Sequence, residues 1–557
     1  MKKLFSLIVL LVNILQAQVG IGTTSPAATS VLDLTSTTKG FLVPRMNQSE
    51  KNSISSPATG LLIYQTDGTA GFYYYTGSAW ISLTSSSVSV TGLDGLSDAK
   101  VEGTNFTGSL LVGHQTTGSL DNAHSNTGVG LRTLQAVTNG HLNTATGYNS
   151  LSLNTTGRGN TATGSNTLSL NTTGYFNNAA GYGSLYYNTT GYENTATGPW
   201  TLESNTTGYF NTATGGAALR YNTTGLHNTS TGYNSLNSNT TGNYNTANGY
   251  QALYSNTTGI NNTANGYNSL LFNTTGSNAT AIGYGAMHYA NSTGTAFTNY
   301  NVAVGYEALR GSTTAADNTG NNNTAVGYQA LLSNTTGSYN TASGQEALYS
   351  NTTGNSNTAN GFYALLSNTT GNYNTASGRE ALRYNTGSWN TANGSGALNS
   401  NTTGSNNTAI GYDAQAPSAT ASNQVSIGNT SVTYAGVQVA WTITSDKRWK
   451  SDIKQSALGL DFIKSLNPVS YVRNNDEKKK TEYGFIAQEL ETALNKAGAA
   501  NNGIISKDDA GMYSVRYNDL LAPMVKAIQE LSLQNEKQQK EIEKLKLIIS
   551  KDYSEAK

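Results

Sequence analysis

The chain has no cysteine, so neither a disulfide framework nor a thiol nucleophile can be built from it. Proline numbers only 7, which excludes a collagen-like or proline-rich rod despite 60 glycines. The 5 histidines (His114, His124, His141, His227 and His288) all lie far upstream of the C-terminal segment, which therefore cannot supply a Ser/His or Cys/His mechanism. Charged residues are few, at 11%, and sum to a net charge of +0, which argues against nucleic acid as the main partner. No cofactor and no metal site is expected. Long apolar runs are scarce too: residues 4–15 form one, behind Met1-Lys2-Lys3 and ahead of small residues near Ala17. Residues 1–18 thus read as a secretory signal peptide, too short to span a bilayer, and the mature protein is expected to be secreted or displayed on a surface.

What is abundant is repetition. Between about residues 137 and 413 the sequence repeats every seventeen residues, and such a period marks a solenoid or array. Asn-Thr-Thr-Gly begins at Asn154, Asn171, Asn188, Asn205, Asn222, Asn239, Asn256 and Asn273, and resumes at Asn334, Asn351, Asn368 and Asn401. A second glycine series, from Gly147 to Gly266, keeps the same step. Two glycine turns per repeat predict two short extended segments per coil, because glycine reaches positive φ at little steric cost. Leu151, Leu168, Leu185 and their successors form one apolar column, and Ala145, Ala162, Ala179 and theirs a smaller one. The predicted architecture is mainly β: a seventeen-residue-repeat β-solenoid (β-roll) over 116–417 with a thin Leu/Ala core. So thin a core predicts that several chains associate to share burial. The periodic Asn is read as turn chemistry laddering along the stack rather than as glycosylation sites.

The motif set Asn-Thr-Ala, Gly-Tyr, Ala-Leu and Asn-Thr-Thr-Gly resembles the left-handed β-roll heads of trimeric autotransporter adhesins, whose repeats are shorter. Tyr182, Tyr233, Tyr250 and Tyr267 recur in register; packing between coils or chains is the first reading and a sugar-binding stripe the second. Residues 289–300 and 311–323 interrupt the rhythm and are expected to project as loops, where recognition sites are favoured. Residues 19–84 read as a small β module resembling an N-terminal block of exported bacterial fibre proteins, followed by a linker at 85–115. After the repeats, β-branched residues predict a strand-rich β neck at 418–444.

The neck ends at Ser445-Asp446-Lys447-Arg448-Trp449-Lys450. With Ile453 and residues 459–471, 483–490 and 517–531, this segment resembles the peptidase S74 domain, the intramolecular chaperone that ends many phage tail spikes and fibres. The resemblance covers 445–557 and implies an α+β domain that trimerises and is then released by self-cleavage. By the same resemblance, the bond broken lies at Ser445/Asp446, with Ser445 as nucleophile and Lys450 as proton acceptor. Trp449 stands where the family more often has Leu, and stays apolar. An amine serves as base only where its surroundings disfavour the ammonium form. Holding nucleophile and target on one chain is worth roughly 7 to 11 kcal/mol of barrier. Downstream, Met524, Ile528, Leu531, Asn535, Gln538, Ile542, Leu545 and Ile549 step by four and three, the spacing of a coiled coil at 520–550.

The expected protein is a homotrimeric, adhesin-like fibre whose partners are itself and a surface glycan or other receptor. Three alternatives stand beside it. A polysaccharide-degrading spike would need paired carboxylates, whereas Glu193, Glu203, Glu307, Asp317, Glu346, Glu380 and Asp413 read as scattered without a shared register. An ice-binding face is suggested by Thr144/Thr146 and Thr161/Thr163, but Asn248 and Asn265 interrupt that lattice. A phage tail fibre is the same architecture in another setting, against which the signal peptide weighs.

Overall fold

The computed structural model describes residues 18–83, 99–101, 103–113, 117–439 and 441–555, in two compact units divided at Val101. The expected signal peptide, save Gln18, and residues 85–98 of the expected linker lie outside the described residues.

In the N-terminal unit a capping box starts the short helix Gln48–Asn52: Asn47 Oδ1 accepts from the Glu50 amide at 2.8 Å while the Glu50 carboxylate accepts from the Asn47 amide at 2.7 Å. Four strands form its sheet in the order Arg45–Met46, Leu62–Gln65, Gly71–Tyr75, Trp80–Ser82, parallel for the first pair and antiparallel thereafter. Alternation along Leu62–Gln65 turns Ile63 fully inward. A separate parallel pair joins Val19–Ile21 to Leu32–Leu34. Phe41, Leu42 and Val31 of this unit are exposed.

The second unit is dominated by a β-solenoid. Thr144–Thr146 pairs in parallel with Thr161–Thr163, seventeen residues on, and each rung bonds to the next in an open stack from Leu110–Val112 to Val425–Ile427. In the Thr-Ala-Thr strands the two Thr point out and the Ala points in, so Ala145, Ala162, Ala196 and Ala213 are wholly buried. Leu151 and its equivalents fill the other side of the coil and are equally buried. Burying one leucine contributes about 1.5–3 kcal/mol, and the stack repeats it rung after rung.

Two asparagine ladders share the interior with these columns. Asn222 Nδ2 donates to Asn205 Oδ1 at 2.8 Å and to Gly225 O at 3.0 Å, while its own Oδ1 accepts from Asn239. Asn143, Asn160 and Asn177 do the same from the strand side, each Oδ1 receiving both the amide and the side-chain nitrogen of the next Asn. Buried amides satisfied in this way cost little, whereas an orphaned one costs about 1–3 kcal/mol.

The structure corrects four expectations. The regular rungs have one three-residue strand, not two extended segments, because the return path is a run of turns in which Asn149 and Leu151 adopt φ of 57° and 49°; a second strand pair, Gly276–Ser277 with Phe297–Thr298, forms only at the lengthened coils. Only one glycine series needs positive φ: Gly147 has φ 124°, whereas Gly157 is glycine because a Cβ there would lie 2.4 Å from the next rung's Gly174 carbonyl. A single chain closes its own core, since the Asn ladders occupy the volume that the Leu and Ala columns leave, so shared burial inside the coil is not what brings chains together. Finally, the ladder overruns 116–417 at both ends, and the strand-rich neck reduces to Val425–Ile427, itself the last rung. Among the described residues of 428–444 no further strand forms.

The C-terminal segment is α+β. Helix Leu460–Ser465, hairpin Val469–Val472/Thr481–Gly484, helix Ala487–Lys496 and hairpin Ile505–Lys507/Tyr513–Val515 enclose Phe462, Leu490, Leu494, Ile504 and Leu520. The long helix Leu521–Glu555 follows, with Pro523 in its first turn, where a missing N–H is tolerated. Its Glu530 carboxylate accepts from the Leu460 amide at 2.6 Å and so caps the first of these helices; a side chain at Gly459 would collide with it.

Candidate functional site: a serine–lysine pair at the shaft–chaperone junction

The sequence Ser-Asp-Lys-Arg-Trp-Lys closes on itself because its second residue is a helix cap. Asp446 Oδ1 accepts the Arg448 amide at 2.8 Å and starts the 3-10 turn Lys447–Trp449. The Arg448 guanidinium returns to the same carboxylate at 2.7 Å. The Arg448 side chain first, and its backbone N–H second, hold the Asp446 carboxyl below its usual range. The turn carries residue 450 back over residue 445, and Lys450 Nζ donates to Ser445 Oγ at 2.6 Å. The serine–lysine contact is thus made within six residues of chain. The role of Arg448 was not read from the sequence; an Asp two residues ahead of an Arg in a turn is the signal that could have shown it.

Ser445 and Lys450 are both exposed, and Trp449 is 83% exposed. Around them Tyr434, Val439, Trp441, Ile443 and Ile453 also face water. The contact between the two side chains is therefore made within one chain, and both of them still face water. The same holds for the heptad. Met524, Ile528, Leu531, Ile542, Leu545 and Ile549 lie along the long helix at 44–65% exposure, with Asn535 and Gln538 exposed between them.

Contacts that sequence reasoning missed tie the chaperone segment to the shaft. The Asp509 amide donates to Pro417 O at 2.9 Å, and Asp509 Oδ2 accepts from the Ala419 amide at 3.0 Å. In inner rungs that amide donates to the coil ahead, as Thr402 does to Ala419 O at 2.7 Å, so Asp509 supplies the acceptor that a following rung would have given. Asn475 Nδ2 bonds to Thr430 O nearby.

The shaft carboxylates are not scattered as expected. Glu307, Glu346, Glu380 and Asp413 occupy equivalent positions, each two residues after the rung glycine and each at positive φ. Glu203, Glu307 and Glu380 are tied to Arg220, Arg310 and Arg383, at 2.6, 3.1 and 3.2 Å. The in-register tyrosines stack coil on coil, as their packing reading requires: Tyr250–Tyr267 at 5.0 Å and Tyr267–Tyr284 at 5.1 Å.

Two segments match known families. Residues 445–499 match the family described as chaperone of endosialidase, peptidase S74, beginning on the serine of the pair. The start of the C-terminal segment is thus similar to S74 chaperone domains. Such domains are self-cleaving. Residues 20–96 match the phage tail like trimerisation region, so the chain pairs an N-terminal trimerisation region with a β-solenoid shaft and the S74 domain, the makeup of a phage-tail-like trimeric fibre. Sequence reasoning drew the trimer from the thin shaft core and from the C-terminal resemblance, and read residues 19–84 only as a small β module. No curated protein and no solved structure matches the chain. Among the described residues no helix is long and apolar enough to cross a membrane.

Proposed function

We propose that the protein is an exported homotrimeric fibre whose S74 domain registers three chains, promotes winding of the solenoid, and is then cut away at Ser445/Asp446. The observation that carries this reading is the 2.6 Å contact between Lys450 Nζ and Ser445 Oγ at the first residue of the S74 match. In the cut, neutral Nζ takes the hydroxyl proton as Oγ adds to a peptide carbonyl, the departing amine collects that proton, and water hydrolyses the ester. Assembly supplies what the single chain lacks. Packing three copies of the exposed Trp441–Ile453 region and of the heptad stripe would bury Lys450 and favour its neutral form. The freed shaft acts in surface recognition, with a glycan or another receptor as partner.

The test is a denaturing gel of wild type beside Ser445→Ala and Lys450→Ala. Wild type should release the fragment that begins at Asp446, and both variants should stay full length as trimers. Release of the fragment by either variant would refute the pair. A second reading, a tail fibre of a particle assembled in the cytosol, draws on the N-terminal match. Intact-mass measurement decides between them, since export removes residues 1–18 and cytosolic assembly keeps them.

A further inference from the structure

One column of the shaft carries a feature the fold does not call for. The residue after the rung glycine is Ser165, Pro199, Gly216, Gln345, Arg379 or Ser395 in various coils, and those coils form the same strand and turn as the rest. The position is therefore tolerant. Yet six successive coils hold Tyr there: Tyr233, Tyr250, Tyr267, Tyr284, Tyr306 and Tyr328. Their rings stack at 5.9, 5.0, 5.1, 5.1 and 5.2 Å, never more than 18° from parallel. The stack continues across the two coils lengthened by excursions, where the Asn ladder breaks and leaves Asn273 Oδ1 without a partner.

Stacked in this way the rings cover one another's faces. What reaches water is a row of ring edges and phenol hydroxyls, one per rung, on side chains 41–56% exposed. On one flank lie amides, Asn234, Gln251, Asn268 and Gln329; on the other, Asn248 and Asn265 give way to Ile282 and Val326. The one carboxylate in the row, Glu307, is occupied by Arg310 and Gln329. The surface is uncharged, amphipathic and strictly periodic along the stack. A second copy of the chain fits it poorly, because a contact running along the shaft would need the same chemistry in the coils that carry Ser, Pro, Gly or Arg instead.

We propose that the Tyr233–Tyr328 row binds a neutral, extended polysaccharide of the β-1,4-linked type, lying along the stack with its sugar hydroxyls bonded to the phenol hydroxyls and the flanking amide groups. A repeating row is best matched by a repeating ligand, and an uncharged one by a polymer without carboxylate or sulfate. This proposal rests on the reading of the shaft as a glycan-recognising fibre and names the site and the ligand class.

The test is affinity electrophoresis of the full-length protein in gels containing hydroxyethylcellulose, with alginate as the charged comparison. Wild type should be retarded by hydroxyethylcellulose and not by alginate. The triple variant Tyr250→Phe/Tyr267→Phe/Tyr284→Phe keeps the stack and removes three hydroxyls; it should bind about tenfold more weakly at an unchanged melting temperature. Tyr267→Ser, a residue the fold already accepts in this column, should also weaken binding. No retardation of wild type, equal retardation of the variants, or loss of oligomer instead of loss of binding would each overturn the proposal. Trimer state and release of the S74 fragment, scored on the same samples, show separately whether the fibre reading itself has failed.

Discussion

At the scale of single residues, the shaft is held by amides that have no alternative to one another. Asn222 bridges Asn205, Gly225 and Asn239 inside a fully buried column, so Asn222→Asp would set a carboxylate oxygen against the Asn205 Oδ1 and Gly225 O acceptors. It is expected to destabilise the shaft by about 3 kcal/mol or more, and Asn222→Ala by about 2. Unfolding rates in denaturant measure both, and an Asp variant as stable as wild type would remove the ladder from the account. Glu530 gives a pH-dependent counterpart in the chaperone domain. The Leu460 amide, ahead of Lys526, holds its carboxyl below the usual range. A carboxyl lowered on folding stabilises fully above its unfolded value and loses that contribution as pH falls through the folded one. Protection of the Leu460 amide from exchange should therefore persist down through the ordinary glutamate range and fail below it. Glu530→Gln should show the acid behaviour at neutral pH.

At the scale of the rung, strain explains why winding needs help. Leu236, Leu253 and Leu270 are buried at φ of 50°, 54° and 52°, and Asn234 and Gln251 lie at 56° and 52°. Left-handed backbone at a non-glycine residue costs roughly 1–2 kcal/mol, so a lone coil is unfavourable and only stacking against a formed neighbour offsets it. Paired substitutions test this. Gln251→Gly relieves the strain at a position where Gly183 and Gly285 already occur, and should stabilise by up to about 1 kcal/mol. Gly249→Ala should cost at least about 3 kcal/mol, because its Cβ would meet the Gly266 carbonyl at 2.7 Å with φ at 131°. Equal melting temperatures for the two would contradict the strain argument. The same strain marks what could be read in advance. The Leu and Ala columns were legible because burial imposes identity at a fixed step, whereas Ser445 and Lys450 were named only through the resemblance to the S74 family. The turn-built side of the coil was not legible, since Leu at positive φ breaks the preference on which such readings depend. The acidic column was missed because neutral or aromatic residues such as Gln329 and Tyr363 separate its members.

At the scale of the whole molecule, trimerisation and cleavage are expected to be one event in sequence. The heptad stripe and the residues around the Ser445–Lys450 pair are exposed together, so whatever buries one set favours burial of the other. In a chain lacking residues 1–101, which removes the N-terminal trimerisation match, Ile528→Asp combined with Leu545→Asp should yield monomers that keep the S74 domain although Ser445 and Lys450 are intact. Gel filtration followed by a denaturing gel checks this, and efficient release from a monomer would separate the chemistry from assembly.

The Asp509 contact gives the cut a further meaning. Were the peptide at Ser445/Asp446 cut as proposed, the acceptor that stands in for a missing coil at Ala419 would be held, among the described residues, by solvent-facing hydrogen bonds each worth about 1 kcal/mol net. A lid so lightly seated would leave readily, and the newly bared amide would become the point at which the finished rod first meets whatever lies beyond its tip.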